Sequence, residues 1–192
     1  MDQGNVSAMS VALWDNPEKL GWLTARGLTD DTILDASLGW MADGRYANSI
    51  SIPYYDARGE LVTVRFRHLD PTAPHKYDQI KGSKRHLYNV KNTDNPTVAV
   101  CEGEFDALIM GQLGIPAVAV PGSEAWDRSW RFLFRECNLV YVITDADTAG
   151  RRAGNKISGS IGAVTDVALI HLDKGDVTDL YLQDPDRLRG ML

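Results

Sequence analysis

The sequence predicts an α/β protein whose C-terminal half contains a mainly parallel sheet with helices on both faces. From Thr97 onward, short apolar runs typical of buried strands alternate with segments of helical character. In the N-terminal half, two alternating segments at 49–55 and 60–66 flank a turn and predict a β-hairpin. A length of 192 residues suits one domain, or one domain with a small appendage. We therefore expect a small helical and basic β region over 1–96, followed by an α/β domain over 97–192.

The N-terminal region should begin with two short helices within 15–37. Pro17 fits the first position of a helix, and Thr29 is a suitable N-cap followed by acidic residues in the first turn. After the hairpin, residues 70–86 are polar, contain two prolines and predict irregular structure. Residues 92–96 have the composition of a linker.

The C-terminal half predicts four strands, each followed by a helical segment, which is the pattern of consecutive parallel βαβ units. The expected strands are 97–101, 117–120, 139–144 and 164–171, and the expected helices are 105–113, 124–135, 148–161 and 178–183. In such open sheets, ligands bind at the carboxyl ends of the strands. Side chains that follow each strand are therefore the first candidates for a functional site.

The charge distribution indicates a contact with a polyanion. The whole chain has a formal net charge of −6. Residues 58–91, in contrast, hold eight basic and three acidic residues between acidic flanking segments. A basic segment of this kind suits phosphate groups, although a solvated loop surface is the alternative.

Two further features narrow the class of protein. Cys101 and Cys137 are the only cysteines, too few for a four-cysteine zinc site, and we expect both to be buried thiols in a reducing cytosol. The sequence has no apolar run of about 18 residues and no basic start followed by an apolar block. We therefore expect a cytoplasmic protein without a membrane partner.

Acidic residues follow three of the expected strands. Because carboxylates gathered at one sheet edge repel one another, such a cluster favours a bound cation. Oxygen ligands with few histidines or cysteines suit Mg²⁺ or Mn²⁺. The acidic residues after the strands are Glu102, Glu104 and Asp106, then Asp145 and Asp147, and finally Asp173, Asp176 and Asp179.

The motif Cys101-Glu102-Gly103-Glu104-Phe105-Asp106, followed some forty residues later by Thr144-Asp145-Ala146-Asp147, resembles the signature of the Toprim domain. This Rossmann-like domain is shared by bacterial-type DNA primases, topoisomerases and recombination-mediator proteins. The resemblance implies that Glu102, Asp145 and Asp147 are catalytic. Glu102 would act in acid–base chemistry or hold metal, and Asp145, Asp147 and Asp176 would hold metal. Asp106 and Asp179 would help to position these residues without binding the metal themselves.

The segment before this domain resembles the corresponding block of bacterial and bacteriophage primases. In that block, a strand ending in an arginine is followed by a Lys-Tyr pair and then by a lysine before Leu-Tyr. Arg67, Lys76-Tyr77, and either Lys81 or Lys84 before Leu87-Tyr88 match that order. Two-residue spacing places Arg65 on the same strand face as Arg67. The residues expected to bind nucleotide or template are Arg65, Arg67, Lys76, Lys81 and Lys84.

The resemblance implies DNA-templated synthesis of short RNA primers from ribonucleoside triphosphates, with two Mg²⁺ or Mn²⁺ ions and no zinc. The sequence contains no cysteine quartet and no G-x-x-x-x-G-K-[ST] motif. A zinc-binding primase module and a replicative helicase are therefore expected as separate partners, or the chain is a fragment, of bacterial or phage origin. Two alternatives remain: a Toprim nuclease with water as the nucleophile, and a non-catalytic subunit that binds single-stranded DNA.

Overall fold

The computed structural model describes residues 1–122 and 124–192. Two compact units make up the chain, Met1–Lys84 and Arg85–Leu192. The expected domain boundary after residue 96 stays a prediction.

The N-terminal unit consists of three helices and one antiparallel sheet with the strand order β1-β2-β3-β4. Its helices are α1 (Gln3–Trp14), α2 (Pro17–Thr24) and α3 (Asp30–Asp35), and its strands are β1 (Gly39–Met41), β2 (Ser49–Tyr55), β3 (Leu61–His68) and β4 (Tyr77–Gln79). The hairpin and the two short helices are as predicted. The sequence prediction missed α1, β1 and β4, and it was wrong to make all of 70–86 irregular.

The alternation of β3 separates the two faces of this sheet. Val64 and Phe66 are fully buried and belong to a core cluster with Val6 and Met9 of α1. At Gly39 the helix comes so close that an added Cβ would lie 2.7 Å from the Met9 backbone. Successive strand residues point to opposite faces, so the arginines that alternate with Val64 and Phe66 lie on the face away from α1.

The C-terminal unit contains a fully parallel sheet with the strand order β6-β5-β7-β8. Its strands are β5 (Thr97–Cys101), β6 (Ala117–Ala119), β7 (Leu139–Thr144) and β8 (Asp166–His171), and its helices are α4 (Glu104–Gln112), α5 (Thr148–Ile161), α6 (Val177–Gln183) and α7 (Pro185–Gly190). The predicted α/β class is confirmed.

Two predictions for this unit need correction, and one helix was missed. The α-helix expected over 124–135 is a 3₁₀ helix, Arg128–Phe134, whose start is capped by the carboxylate of Asp127. The expected linker at 92–96 overlaps a second 3₁₀ helix, Val90–Asp94. The helix α7 was not predicted at all.

The strand order creates a crevice in the middle of the sheet. Right-handed crossovers put α4, which leads from β5 to its neighbour β6, on one face, and α5, which leads from β7 to β8, on the other. Ala153 and Ile157 of α5 pack on Val98 and Val142 in the larger core cluster. The loops after β5 and β7 therefore diverge, and ligands bind between such loops.

Among the residues that the structure describes, no helix is long and apolar enough to cross a membrane. Cys101 and Cys137 are both buried free thiols, as predicted.

Candidate functional site

Glu102 and Asp145 meet where the loops after β5 and β7 diverge. The backbone N–H of Asp145 donates a hydrogen bond of 3.1 Å to Oε1 of Glu102, which fixes the glutamate across the carboxyl ends of two neighbouring strands. Both side chains are half-buried. The two motifs that resemble the Toprim signature therefore touch in the folded chain.

Gly150 leaves room for this contact. An added Cβ would lie 2.5 Å from Oε1 of Glu102 and 2.8 Å from the carbonyl oxygen of Asp145. Real Cβ atoms do not approach so closely, and the carbonyl belongs to backbone that packing holds in place. The sequence analysis did not assign a role to this glycine in the first turn of α5, although a glycine three residues after an Asp-x-Asp motif was a visible signal.

Two of the acidic residues cap helices that begin at the same edge of the sheet. The carboxylate of Asp147 accepts a 2.7 Å hydrogen bond from the N–H of Gly150 and caps α5. The carboxylate of Asp176 accepts a 2.7 Å bond from the N–H of Asp179 and caps α6, and Asp179 accepts a bond from the N–H of Asp176 in return. These caps place both carboxylates at the starts of their helices, and each carboxylate still has one oxygen outside its cap bond.

Asp106 lies behind this edge and joins two helices. It is only 8% exposed, and its carboxylate accepts hydrogen bonds from the N–H and the hydroxyl of Thr178, at 3.1 and 2.8 Å. Asp106 belongs to α4 and Thr178 to α6, so this pair ties the Asp176 loop to the helix that follows Glu102. The contribution of Thr178 was not foreseen in the sequence, because a buried hydroxyl seventy-two residues away carries no local signal.

An open groove runs between the loop after β7 and the loop before α6. It is lined by Asp145, Asp147, Asp173, Lys174, Asp176 and Asp179. Ala146 donates a backbone hydrogen bond to the carbonyl of Gly175, which joins the two loops. Glu102 lies beside the groove, because it accepts a hydrogen bond from the backbone of Asp145, which lines the groove.

Negative charge accumulates at this edge of the sheet. The pKa of Asp145 rises from its usual 3.8 to about 7. Burial is the largest cause, and the negative charges of four neighbouring carboxylates add to it: Glu102, Asp106, Asp176 and Asp147. Burial also raises the pKa of Glu102, with a further contribution from Asp147. Burial and Asp176 raise the pKa of Asp106 to about 7 despite its bonds to Thr178. A cation in the groove would relieve this repulsion.

The donor atoms suit a hard divalent cation. All are carboxylate oxygens, the ligands that Mg²⁺ and Mn²⁺ prefer, and no thiol or imidazole lines the groove within the described residues. Over 1–122 and 124–192, no three acidic, histidine or cysteine side chains already stand close enough to share one ion. The donor chemistry therefore fits a dication, and binding one would require the carboxylates to move closer together.

Two arginines and an aromatic ring, all half-buried, lie on the face of the N-terminal sheet that points away from α1. Arg67 lies opposite Tyr77 in the β3–β4 register, and Arg65 lies opposite Gln79. The guanidinium groups of Arg65 and Arg67 lie 4.6 and 5.4 Å from the centre of the Tyr77 ring. Arg65 also donates a 3.4 Å hydrogen bond to the Tyr54 hydroxyl. Tyr77 therefore holds two of the predicted phosphate-binding residues side by side.

The three lysines of the predicted binding set are exposed. Lys76 directly precedes β4, and Lys81 and Lys84 follow it. Tyr88, in contrast, is 2% exposed and packs in the C-terminal unit, where its backbone pairs with Ala119, so it is a core residue. The five residues predicted to bind nucleotide or template all lie in the unit Met1–Lys84, and the acidic residues of the predicted metal site all lie in the unit Arg85–Leu192.

Comparisons with known proteins relate this chain to Toprim-domain proteins and to DNA primases. The Toprim-like family matches residues 99–181. The Gene 57 protein of Mycobacterium phage D29 is 30% identical over 122 residues, which cover 60% of this chain and 80% of that protein. The DNA primase of Pseudomonas aeruginosa is 30% identical over 200 aligned residues, which cover 91% of this chain and 28% of the primase. The chain therefore spans less than a third of that primase's length.

Solved structures have the same fold. A DNA primase domain from Pseudomonas aeruginosa superimposes with a TM-score of 0.82 at 23% identity, over 97% of this chain and 76% of that domain. The alignment extends through both compact units, and the sequence relatives likewise extend beyond the Toprim-like segment. The chain belongs to the Toprim-domain DNA primase family.

Proposed function

We propose that this chain is the catalytic core of a DNA primase, which joins ribonucleoside triphosphates into short RNA primers on a single-stranded DNA template. The observation that carries the proposal is the bond between the Asp145 N–H and Glu102 at the centre of the parallel sheet. It brings together two acidic motifs beside a groove lined by further carboxylates. Family membership implies the use of divalent metal ions.

The ions in this proposal are two Mg²⁺ or Mn²⁺ ions rather than zinc. Glu102, Asp145, Asp147 and Asp176 would hold them, because their oxygens suit hard cations. When bound, such ions neutralise charge on the triphosphate and on the attacking hydroxyl. The capping bonds of Asp147 and Asp176 hold these two ligands at the starts of α5 and α6.

Glu102 is the proposed proton acceptor in the reaction. The 3′-hydroxyl oxygen of one nucleotide forms a bond to the α-phosphorus of the next, and the bond from that phosphorus to the pyrophosphate oxygen breaks. Oε1 of Glu102 accepts the Asp145 N–H, so Oε2 is the atom assigned to the hydroxyl proton. Burial raises the pKa of Glu102, which makes its carboxylate a better base than an exposed glutamate.

The basic residues of the N-terminal unit would bind phosphate groups of the template or of the incoming nucleotide. Arg65 and Arg67 present paired guanidinium groups, and Lys76, Lys81 and Lys84 add exposed charges. A DnaG primase catalytic domain with the same fold has been solved bound to ssDNA. We propose that the present chain also binds single-stranded DNA.

A zinc-binding module and a replicative helicase are the proposed protein partners. A primase structure from Aquifex aeolicus contains zinc-binding and RNA polymerase domains, and another comes from the primase-helicase protein of bacteriophage T7. By this proposal the chain primes weakly and with little sequence choice unless such a module is supplied. The reaction takes place on replicating DNA, in the cytoplasm of a bacterium or a phage-infected cell.

One incubation separates this function from its two rivals. The chain is mixed with single-stranded DNA, labelled ribonucleotides and Mn²⁺, and the products are separated by size. Primase activity gives short RNA that disappears in Glu102→Gln and persists in Asp166→Asn, a control at the opposite end of the sheet. Cut DNA without added nucleotides would identify a nuclease. DNA binding without either product, unchanged in Glu102→Gln, would identify a non-catalytic binding subunit.

A further inference from the structure

One basic side chain stands among the carboxylates of the groove. Five aspartates line the groove, and Lys174 is the one basic residue beside them within the described part of the chain. Lys174 is exposed, and over 1–122 and 124–192 its ammonium group forms no ion pair. A lysine that lines an acidic groove and pairs with none of its carboxylates keeps its charge available to a ligand. The sequence analysis assigned no role to this residue.

The backbone on both sides of this lysine is bonded to the segment that carries Asp145. The N–H of Leu172 donates a 3.1 Å hydrogen bond to the carbonyl of Thr144. The N–H of Ala146 donates a second bond of 3.1 Å to the carbonyl of Gly175. Because Thr144 and Ala146 are the two neighbours of Asp145 in the chain, these bonds hold the lysine's turn beside that proposed metal ligand.

Gly175 determines the shape of this turn. Its φ is +66°, in the left-handed region that favours glycine. An added Cβ would lie 2.8 Å from the Cβ of Asp179 and closer still to its carboxylate. The turn therefore packs directly against the start of α6, which Asp176 caps. Backbone contacts thus hold Lys174 at the edge of the groove.

A neighbouring ion pair supplies a counterion for the aspartate next to this lysine. Asp173 lies 2.9 Å from the guanidinium of Arg187 in α7. The carboxylate of Asp184 accepts the backbone N–H of Arg187 at 2.9 Å and caps the helix. Arg187 and Lys174 also line the same small cavity beside the groove. Since Arg187 already meets Asp173, that aspartate does not require the charge of Lys174.

The charge balance of the proposed reaction favours a further cation at the groove. Two divalent ions would balance the four carboxylates that are proposed to hold them. The nucleotide then brings negative charge of its own, most of it on the β- and γ-phosphates. When the bond from the α-phosphorus to the bridging oxygen breaks, the leaving pyrophosphate gains a negative charge, which a nearby cation stabilises. The ammonium group of a lysine, with three donors on a flexible stem, suits such phosphate oxygens.

We propose that Lys174 binds the β- and γ-phosphates of the incoming nucleotide and stabilises the pyrophosphate as it leaves. This inference rests on the proposed function of the groove. It gives the C-terminal unit a phosphate contact of its own, in addition to the metal ions and to the basic residues of the N-terminal unit. It also implies that the loss of this lysine affects ligands with a polyphosphate group and spares the phosphodiesters of a DNA strand.

Binding measurements on the chain in the presence of Mn²⁺ test the inference with three probes. GTP and inorganic pyrophosphate carry the phosphates in question, and oligothymidylate carries phosphodiesters. We expect Lys174→Gln to weaken the binding of GTP and of pyrophosphate at least about tenfold, the loss of one charged contact, and to leave oligothymidylate binding unchanged. Lys174→Arg keeps the charge, so it should bind GTP and pyrophosphate more tightly than Lys174→Gln does.

The matched control is Lys156→Gln, which removes an exposed lysine from α5 and should bind all three probes like wild type. In Lys174→Gln the Mn²⁺-induced rise in melting temperature should be at least as large as in wild type, because every proposed metal ligand is intact. If this variant binds GTP and pyrophosphate like wild type while wild type makes primers, the inference alone is wrong, and Lys174 only offsets the charge of the groove. If wild type binds neither GTP nor pyrophosphate, the proposed function is wrong as well.

Discussion

Replacing Asp145 by asparagine should stabilise the metal-free protein at pH 8 while abolishing primer synthesis. The reason is the charge around this residue. Burial and the neighbouring carboxylates raise the pKa of Asp145 from 3.8 to about 7, so the folded state holds the proton more tightly than the unfolded state does. A group with a raised carboxyl pKa destabilises the fold as pH rises between those two values. Asparagine keeps the size of the side chain and removes that penalty.

The magnitude follows from the pKa. A rise from 3.8 to about 7 corresponds to about 4 kcal/mol above pH 7 for a fully buried and independent group. Asp145 is only half-buried, and solvent screens its charge, so we expect a gain of about 1–2 kcal/mol in the free energy of unfolding at pH 8. For a chain of this length that gain equals about 2–8 °C in melting temperature. Near pH 4 the two proteins should melt together, because the carboxyl is then largely protonated in the folded wild type.

Melting curves in chelator at pH 8 and pH 4, and at pH 8 with Mn²⁺, are the measurement. Mn²⁺ should raise the melting temperature of wild type, because an ion that binds only the folded state stabilises it, and the variant should lose most of that rise. Asp166→Asn, an exposed aspartate at the amino end of β8, should change neither quantity. The reasoning is refuted if Asp145→Asn melts well below wild type in chelator and keeps the full response to Mn²⁺.

The parallel sheet and the meeting of its acidic motifs could be predicted from the sequence. Short apolar runs ending in Glu102 and Asp145 identify β5 and β7, and the carboxyl ends of neighbouring parallel strands share one edge. The bond between these two residues joins positions forty-three apart. No local pattern specifies that Asp145 donates through its backbone, or that Gly150 must lack a Cβ for the bond to fit.

The errors in the N-terminal unit have different physical causes. Val6, Met9 and Leu13 are buried in α1 at helical spacing, and Asp2 caps the helix, so the signal for this helix was present and was overlooked. The strands β1 and β4 have only three residues each, too few for an alternating pattern to be visible. They form because β2 and β3 offer partner edges, which is a tertiary effect. The contact of Tyr77 with Arg65 and Arg67 likewise depends on β4, since only strand pairing brings Tyr77 next to the two arginines.

The remaining predictions concern single side chains at both sites. Gly150→Ala should lower the melting temperature and abolish synthesis, because its Cβ would lie 2.5 Å from Glu102; an active, fully stable variant would contradict the proposed close packing. Arg67→Ala and Lys76→Ala should weaken nucleotide or template binding, a charged contact being worth about 1.5–3 kcal/mol, while the Mn²⁺-induced rise in melting temperature stays intact. Normal priming by both variants would make the basic segment a solvated surface. Asp106→Ala should cost about 1–3 kcal/mol in the free energy of unfolding, because it leaves the buried N–H and hydroxyl of Thr178 without their acceptor. Asp106→Asn keeps one acceptor oxygen for Thr178 and removes a carboxylate whose pKa burial and Asp176 raise to about 7, so denaturant unfolding at pH 8 should find it more stable than Asp106→Ala. Equal stability of these two variants would show that the bonds to Thr178 do not hold α4 and α6 together.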